Sequence, residues 1–353
     1  MNTSTEKISA TTKYMIDLNL GSGFPVLSRP GLDPAMLKIT LAEAADIPLL
    51  HSLIIAQNDE ILVEEYLNGG NGTDPVNIKS ASKTIISALV GIAVKEGYLE
   101  SIDQKVVEFL PEYINNQSDP LKREITIRHL LYMASGLTST STENYSGWVA
   151  STNWVKNALD REMVDNPGEV MLYSTGDSHI LSAILSKATG MSTYEFARQY
   201  LFNPMNIHIG GWDTDPQGIY FGGNNMSMSP LDLMKFGLAY LNNGVYNGQE
   251  IIPSDWVRES TRKHTITTNS FRDFDYGYYW YVYTFANQNV YFAWGYGGQF
   301  IYVIPELDSV IVFTSSTDLR PRGGGHLENI QELLEENIIP MLEKAVHQDI
   351  VGK

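Results

Sequence analysis

Lys79-Ser80-Ala81-Ser82-Lys83-Thr84-Ile85-Ile86-Ser87-Ala88-Leu89-Val90-Gly91-Ile92-Ala93-Val94 is the stretch from which the rest of this chain can be read. Between Ser80 and Val94 the only charge is Lys83, and the aliphatic residues from Ile85 onward leave no polar face. At helical spacing, a segment apolar on nearly every side is a helix running through a core. Ser80 falls at or near the N-terminus of that helix, and Lys83 lies one turn on, on the same face. An ammonium group is costly to keep there, so its pKa is expected to fall, and a neutral amine is a base. A serine hydroxyl within its reach is a candidate nucleophile. The spacing S-x-x-K is short, and it also fits a capping serine followed by an ordinary surface lysine. The buried character of the helix favours the chemical reading, and two later segments add to it.

Working outward, 353 residues suffice for a large core and about two lobes. Hydrophobic content of 43% with 18% charged residues describes an ordinary globular chain. A net charge of −17 argues against nucleic acid or an anionic membrane as partner. Cysteine is absent, which removes disulfides, thiolate metal sites and a cysteine nucleophile. The seven histidines show no H-x-x-x-H or H-E-x-x-H spacing, so neither a metal nor another cofactor is expected. Met1 to Lys13 is polar and no apolar run approaches membrane-spanning length. The chain as given reads as cytoplasmic, or as periplasmic or secreted if an export signal was removed.

Residues 1–34 read as a polar lead segment. Ala35 to Ala45 has a helical pattern, and Leu50 to Gln57 with Ile61 to Leu67 form two strands around a turn at Asn58-Asp59. The Ser80 helix stops near Glu96-Gly97. From about 98 to 270 helices dominate, among them Ile127 to Met133, Trp154 to Arg161, His179 to Ala188, Ser192 to Leu201 and Pro230 to Asn243. Aromatic and β-branched runs follow at Tyr278 to Phe285, Val290 to Trp294, Gln299 to Ile304 and Val310 to Thr314, an antiparallel meander. An amphipathic helix, His326 to Val346, closes the chain. The expected fold is therefore α+β: an antiparallel sheet lobe from residues 35–97 plus 271–353, flanked by N- and C-terminal helices. A mostly helical lobe, 98–270, is inserted, with a cleft between the two.

The second chemical segment is Pro167-Gly168-Glu169-Val170-Met171-Leu172-Tyr173-Ser174-Thr175, with Tyr173 in a loop before an apolar helix. The third is Trp294-Gly295-Tyr296-Gly297-Gly298-Gln299, whose glycines suggest close approach of a backbone or substrate at a strand start. Each alone also fits plain packing or a tight bend. In this order the three resemble the serine β-lactamase and penicillin-binding-protein superfamily, with S-x-x-K, then Y-x-N or S-x-N, then K-T-G or H-T-G. Ile125 to Leu137, ending in Ala134-Ser135-Gly136-Leu137, and Met226 to Gly244 resemble further family segments. The nearest branch looks like the class C β-lactamase-like enzymes, including carboxylesterases, D-aminopeptidases and 6-aminohexanoate-oligomer hydrolases.

That resemblance implies a serine hydrolase. Ser80 would be acylated, Lys83 would help deprotonate it, and Tyr173 would shuttle protons. The backbone N–H groups of Ser80 and Gln299 would form the oxyanion hole. Tyr296, Gly297, Gly298 and Thr175 would contact substrate. Two departures matter: Thr175 stands where lactam-processing enzymes carry Asn, and Tyr296 replaces a third-motif cation. Both favour a small amide or ester substrate, such as a 6-aminohexanoate-oligomer-like amide or a carboxylic ester. β-Lactamase or D-amino-acid peptidase activity is the alternative, and so is a non-catalytic descendant that binds in the old cleft. A homodimer is compatible with this reading. Arg320 and Arg322 are candidates for a substrate carboxylate, with solvated loop charge as the plain alternative. Trp148, Trp154 and Trp212 are candidates for pocket walls or for core. His179 is expected to pack on its helix.

Overall fold

The structure, a computed structural model, describes residues 32–115, 117–268, 273–317 and 325–351. Helix α1 (Pro34–Ala45) starts on Asp33, whose carboxylate accepts from the Ala35 N–H at 2.9 Å, with proline at the first helical position. Strands β1 (Leu50–Gln57) and β2 (Glu60–Tyr66) follow. Asn58 and Asp59 turn between them with φ of 52° and 59°, the left-handed pair that suits a right-twisted hairpin. A 3₁₀ turn at Lys79–Ala81 leads into α2 (Ser82–Lys95), which is buried along nearly its whole length. Gly97, at φ 76°, lets the chain leave it.

The main sheet takes β1 and β2 together with β3 (Thr265–Thr268), β4 (Asp273–Tyr276), β5 (Tyr281–Phe285), β6 (Gln288–Gly295), β7 (Gln299–Ile304) and β8 (Ser309–Ser315). Its order is β2-β1-β8-β7-β6-β5-β4-β3, antiparallel throughout. Both ends of the chain thus share one sheet, with Leu53 opposite Phe313 and Ile55 opposite Ile311. The sheet includes β3, which precedes residue 271. β7 and β8 are buried at every position, as strands covered on both faces must be.

Between α2 and β3 the chain is mostly helical. Helix α3 (Thr175–Thr189) packs against α2, and α4 (Pro230–Leu241) lies against β7 and β8. A small sheet of Val76–Asn77, Met226–Met228 and Gly211–Trp212 ties the segment before Ser80 to the helical part.

Two departures from the sequence reading have clear causes. Tyr278 and Tyr279 precede β5 rather than belonging to it. Gly277 N–H donates to the Trp280 carbonyl, and Tyr279, at φ 68°, sends its hydroxyl to the Leu130 carbonyl. The aromatic run there marks burial, not strand. The closing helix runs unbroken as expected, but it is not α-helical throughout. α5 (His326–Glu332) passes through a π turn at Leu333–Ile338 into α6 (Ile339–Val351). Pro340 has no N–H to give to the preceding turn, and a widened turn accommodates that loss.

Candidate active site

Ser80 sits in the 3₁₀ turn just before α2. Lys79 precedes it in the left-handed region at φ 52°, its N–H held by the Asn77 side chain at 2.9 Å. One turn on, the Lys83 ammonium nitrogen Nζ donates to Ser80 Oγ at 3.0 Å and to the Gly223 carbonyl at 2.8 Å. Lys83 is 1% exposed, and burial lowers its pKa to about 7. Its Nζ also lies 5.1 Å from the centre of the Tyr173 ring. Tyr173, in the loop before α3, shares a side-chain hydrogen bond with Ser80. Burial dominates and pushes its pKa to about 12, so it is a phenol rather than a phenolate. Hydroxyl, amine and phenol therefore meet at one point, brought there by α2 and by the approach to α3.

The third segment closes the site from the sheet. A Cβ added at Gly295 would lie 2.1 Å from the Ile78 carbonyl, so β6 ends in direct contact with the turn that carries Ser80. Gly297 and Gly298 turn the chain with φ of 85° and 98° into β7. Gln299 itself is buried, its amide bonded twice to the Ser315 backbone, at 2.7 and 3.2 Å. His326 Nε2 lies 3.2 Å from both the Gly297 carbonyl and Ser315 Oγ, pinning the same turn from α5.

A cleft of about 220 Å³ opens above Ser80, lined by Tyr173, Tyr281, Trp294, Tyr296, Gly297, His326 and Leu327. Its walls are mainly aromatic, and Tyr296 is 60% exposed at the rim. Thr175 is not part of the lining. It is buried at the start of α3, and its hydroxyl is paired with Ser141 Oγ at 2.9 Å. Trp148, Trp154 and Trp212 are buried as well; the first two pack around His179. Arg320 and Arg322 lie outside the described residues. Tyr281, His326 and Leu327 were not singled out for the site by sequence reasoning, since nothing local marks a strand or helix residue as facing a cleft built by distant segments. Gly223 left a signal in the pair Gly222-Gly223, which marks close backbone approach.

The beta-lactamase family profile matches residues 52–335. The chain belongs to the beta-lactamase family. Its relatives within that hydrolase family include the 6-aminohexanoate-dimer hydrolase of Paenarthrobacter ureafaciens, 25% identical over 287 residues, covering 75% of this chain and 72% of the relative. Among solved structures, the octameric penicillin-binding protein homologue from Pyrococcus abyssi superposes with TM-score 0.64 at 21% identity, covering 85% of this chain and 76% of the other. A D-stereospecific amidohydrolase from Streptomyces sp. gives TM-score 0.63 at 17% identity, covering 80% and 93%. At those identities the two structures establish the shared beta-lactamase fold. Among the described residues, no helix is long and apolar enough to cross a membrane. Nor do the described residues include a group of three or more His, Asp or Glu side chains placed to hold a metal ion.

Proposed function

We propose that this protein is a serine hydrolase that cleaves a small amide or carboxylic ester through an acyl-enzyme on Ser80. The observation that carries the reading is the 3.0 Å contact between Ser80 Oγ and a buried lysine whose amine titrates near neutrality. Neutral Lys83 takes the Ser80 proton as Oγ attacks the substrate carbonyl, forming a C–O bond and a tetrahedral oxyanion. The N–H groups of Ser80 and Gln299 hold that oxyanion, each contributing roughly 3 kcal/mol to lowering the barrier. The Tyr173 phenol protonates the leaving amine or alcohol as its bond to carbon breaks, and is reprotonated from Lys83. Water then attacks the ester, giving its proton to the same pair, and Ser80 leaves with a proton restored.

The mainly aromatic cleft offers an apolar surface to the methylene chain of an acyl or leaving group, and the named hydrolase relative makes a 6-aminohexanoate-like amide the first substrate to try. β-Lactam turnover is the weaker reading, because the Thr175 hydroxyl is engaged with Ser141 and does not face the cleft. A fluorophosphonate probe should add one adduct at Ser80 by intact-mass analysis, and Ser80→Ala should show none. An unmodified wild-type chain would overturn the proposal in favour of a non-catalytic cleft. p-Nitrophenyl esters, nitrocefin and 6-aminohexanoate dimer, assayed side by side, rank the substrate classes.

A further inference from the structure

The carbonyl that receives Lys83 belongs to a loop held in place by a buried, hydrogen-bonded histidine–aspartate pair. His179, on α3, and Asp215 are both buried, with His179 Nε2 at 3.0 Å from Asp215 Oδ2. The other ring nitrogen, Nδ1, accepts from the Gly222 N–H at 3.4 Å. An accepting Nδ1 requires the proton on Nε2, where it is donated to Asp215. Asp215 also shapes the loop itself, its Oδ1 accepting from the N–H groups of Gln217 and Ile219 at 2.8 and 2.9 Å. Gly222 and Gly223 can lie this close only because they lack side chains. A Cβ at Gly222 would meet the Ser178 carbonyl at 2.1 Å, and one at Gly223 would meet Lys83 Nζ at 2.9 Å. From Asp215 through His179 and Gly222 to the Gly223 carbonyl, a continuous line of contacts ends on the catalytic amine.

We infer that His179 and Asp215 are positioning residues for Lys83: they fix the imidazole tautomer that holds Gly222, and thereby the carbonyl that aims the amine at Ser80. This rests on the acyl-enzyme reading above. Asp215→Asn is the sharpest test, because it is isosteric. Its oxygen stays on the two backbone N–H groups, so its NH₂ faces Nε2 and forces the proton onto Nδ1, against the Gly222 N–H. His179→Gln likewise gives up the acceptor at Nδ1, whereas His179→Asn places an oxygen there.

The rate constant for fluorophosphonate labelling of Ser80, and kcat and KM for an ester that the wild type turns over, are measured on the full chain alongside thermal unfolding. Asp215→Asn and His179→Gln should each lose about tenfold or more in labelling rate and kcat, with KM within about twofold, since misplacing a reacting group costs rate rather than binding. His179→Asn should recover to within about threefold of wild type. If either of the first two variants fails to fold, the other decides. Folded variants that label at the wild-type rate would overturn the inference, and so would His179→Asn falling as far as His179→Gln. A wild-type chain that takes no label would instead sink the acyl-enzyme reading, which is a different result.

Discussion

Two buried titrating side chains set what pH does to this molecule. Lys83, with its pKa lowered to about 7 by burial, can accept the Ser80 proton only above that pH. Log kcat/KM should therefore climb with unit slope below about pH 7 and level off above it, in an ester-hydrolysis profile or in the labelling rate. Lys83→Ala should lower the plateau by roughly 10²- to 10⁴-fold, and Tyr173→Phe should slow an amide more than an activated ester, whose leaving group needs no proton. Asp177 works on stability instead. It is buried on α3, its pKa raised to about 7 by desolvation against the opposing hydrogen bonds from Ser135 and Ser174. In the unfolded chain that carboxyl titrates near 4. Between pH 4 and 7 the folded state alone keeps the proton, so stability is full below pH 4 and falls as pH rises through 7. Asp177→Asn should match wild type in thermal unfolding at pH 4 and exceed it at pH 8, by on the order of 4 kcal/mol. Equal melting at both values would show that the carboxyl is solvated.

At the scale of the element, α2 has one position where helix propensity and packing disagree. Gly91 lies in the middle of the helix, where alanine is normally preferred by about 1 kcal/mol. A Cβ there would fall 2.3 Å from Cγ of the Trp256 ring, which the short helix Ser254–Ser260 holds against it. The ring has no flexible end to move aside, so Gly91→Ala should destabilise by roughly 1–3 kcal/mol in a denaturant melt. Stabilisation would mean that Trp256 swings out.

The same contrast explains what could be read in advance. The apolar run of α2, the Asn58-Asp59 hairpin and the strands of the meander carry their own local pattern, and Ser80, Lys83 and Tyr173 are set by helix spacing and one loop. The start of α3 is different. Thr175-Gly176-Asp177-Ser178 looks like a polar loop, yet all four are buried helix. The Thr175 hydroxyl, the Gly176 N–H and one Asp177 oxygen are met by the distant loop of Ser141, Thr140 and Ser135. The same holds for the Gly223 carbonyl on Lys83: such partners lie in space, not in sequence.

Over the whole molecule, the order of segments foretold that both ends would meet in one sheet, but register and depth came only with the fold, because β1 pairs with β8 across most of the chain. Charge is the remaining property that acts at this scale. A net charge of −17 repels anions at long range, and the cleft above Ser80 is lined by aromatic and neutral groups. An ester carrying a carboxylate should therefore approach less readily than its neutral isostere. Salt screens that field, since the Debye length shortens from about 30 Å at 10 mM to under about 8 Å above 150 mM. Raising NaCl from about 10 to 300 mM should increase kcat/KM for the anionic ester severalfold and leave the neutral one unchanged. The increase should fall on kcat/KM rather than kcat, because the field acts on the encounter and not on the bound complex. An anionic ester that instead loses kcat/KM as salt rises would mean that a cation near the cleft outweighs the charge of the whole chain, and Arg320 and Arg322 would be the first side chains to remove.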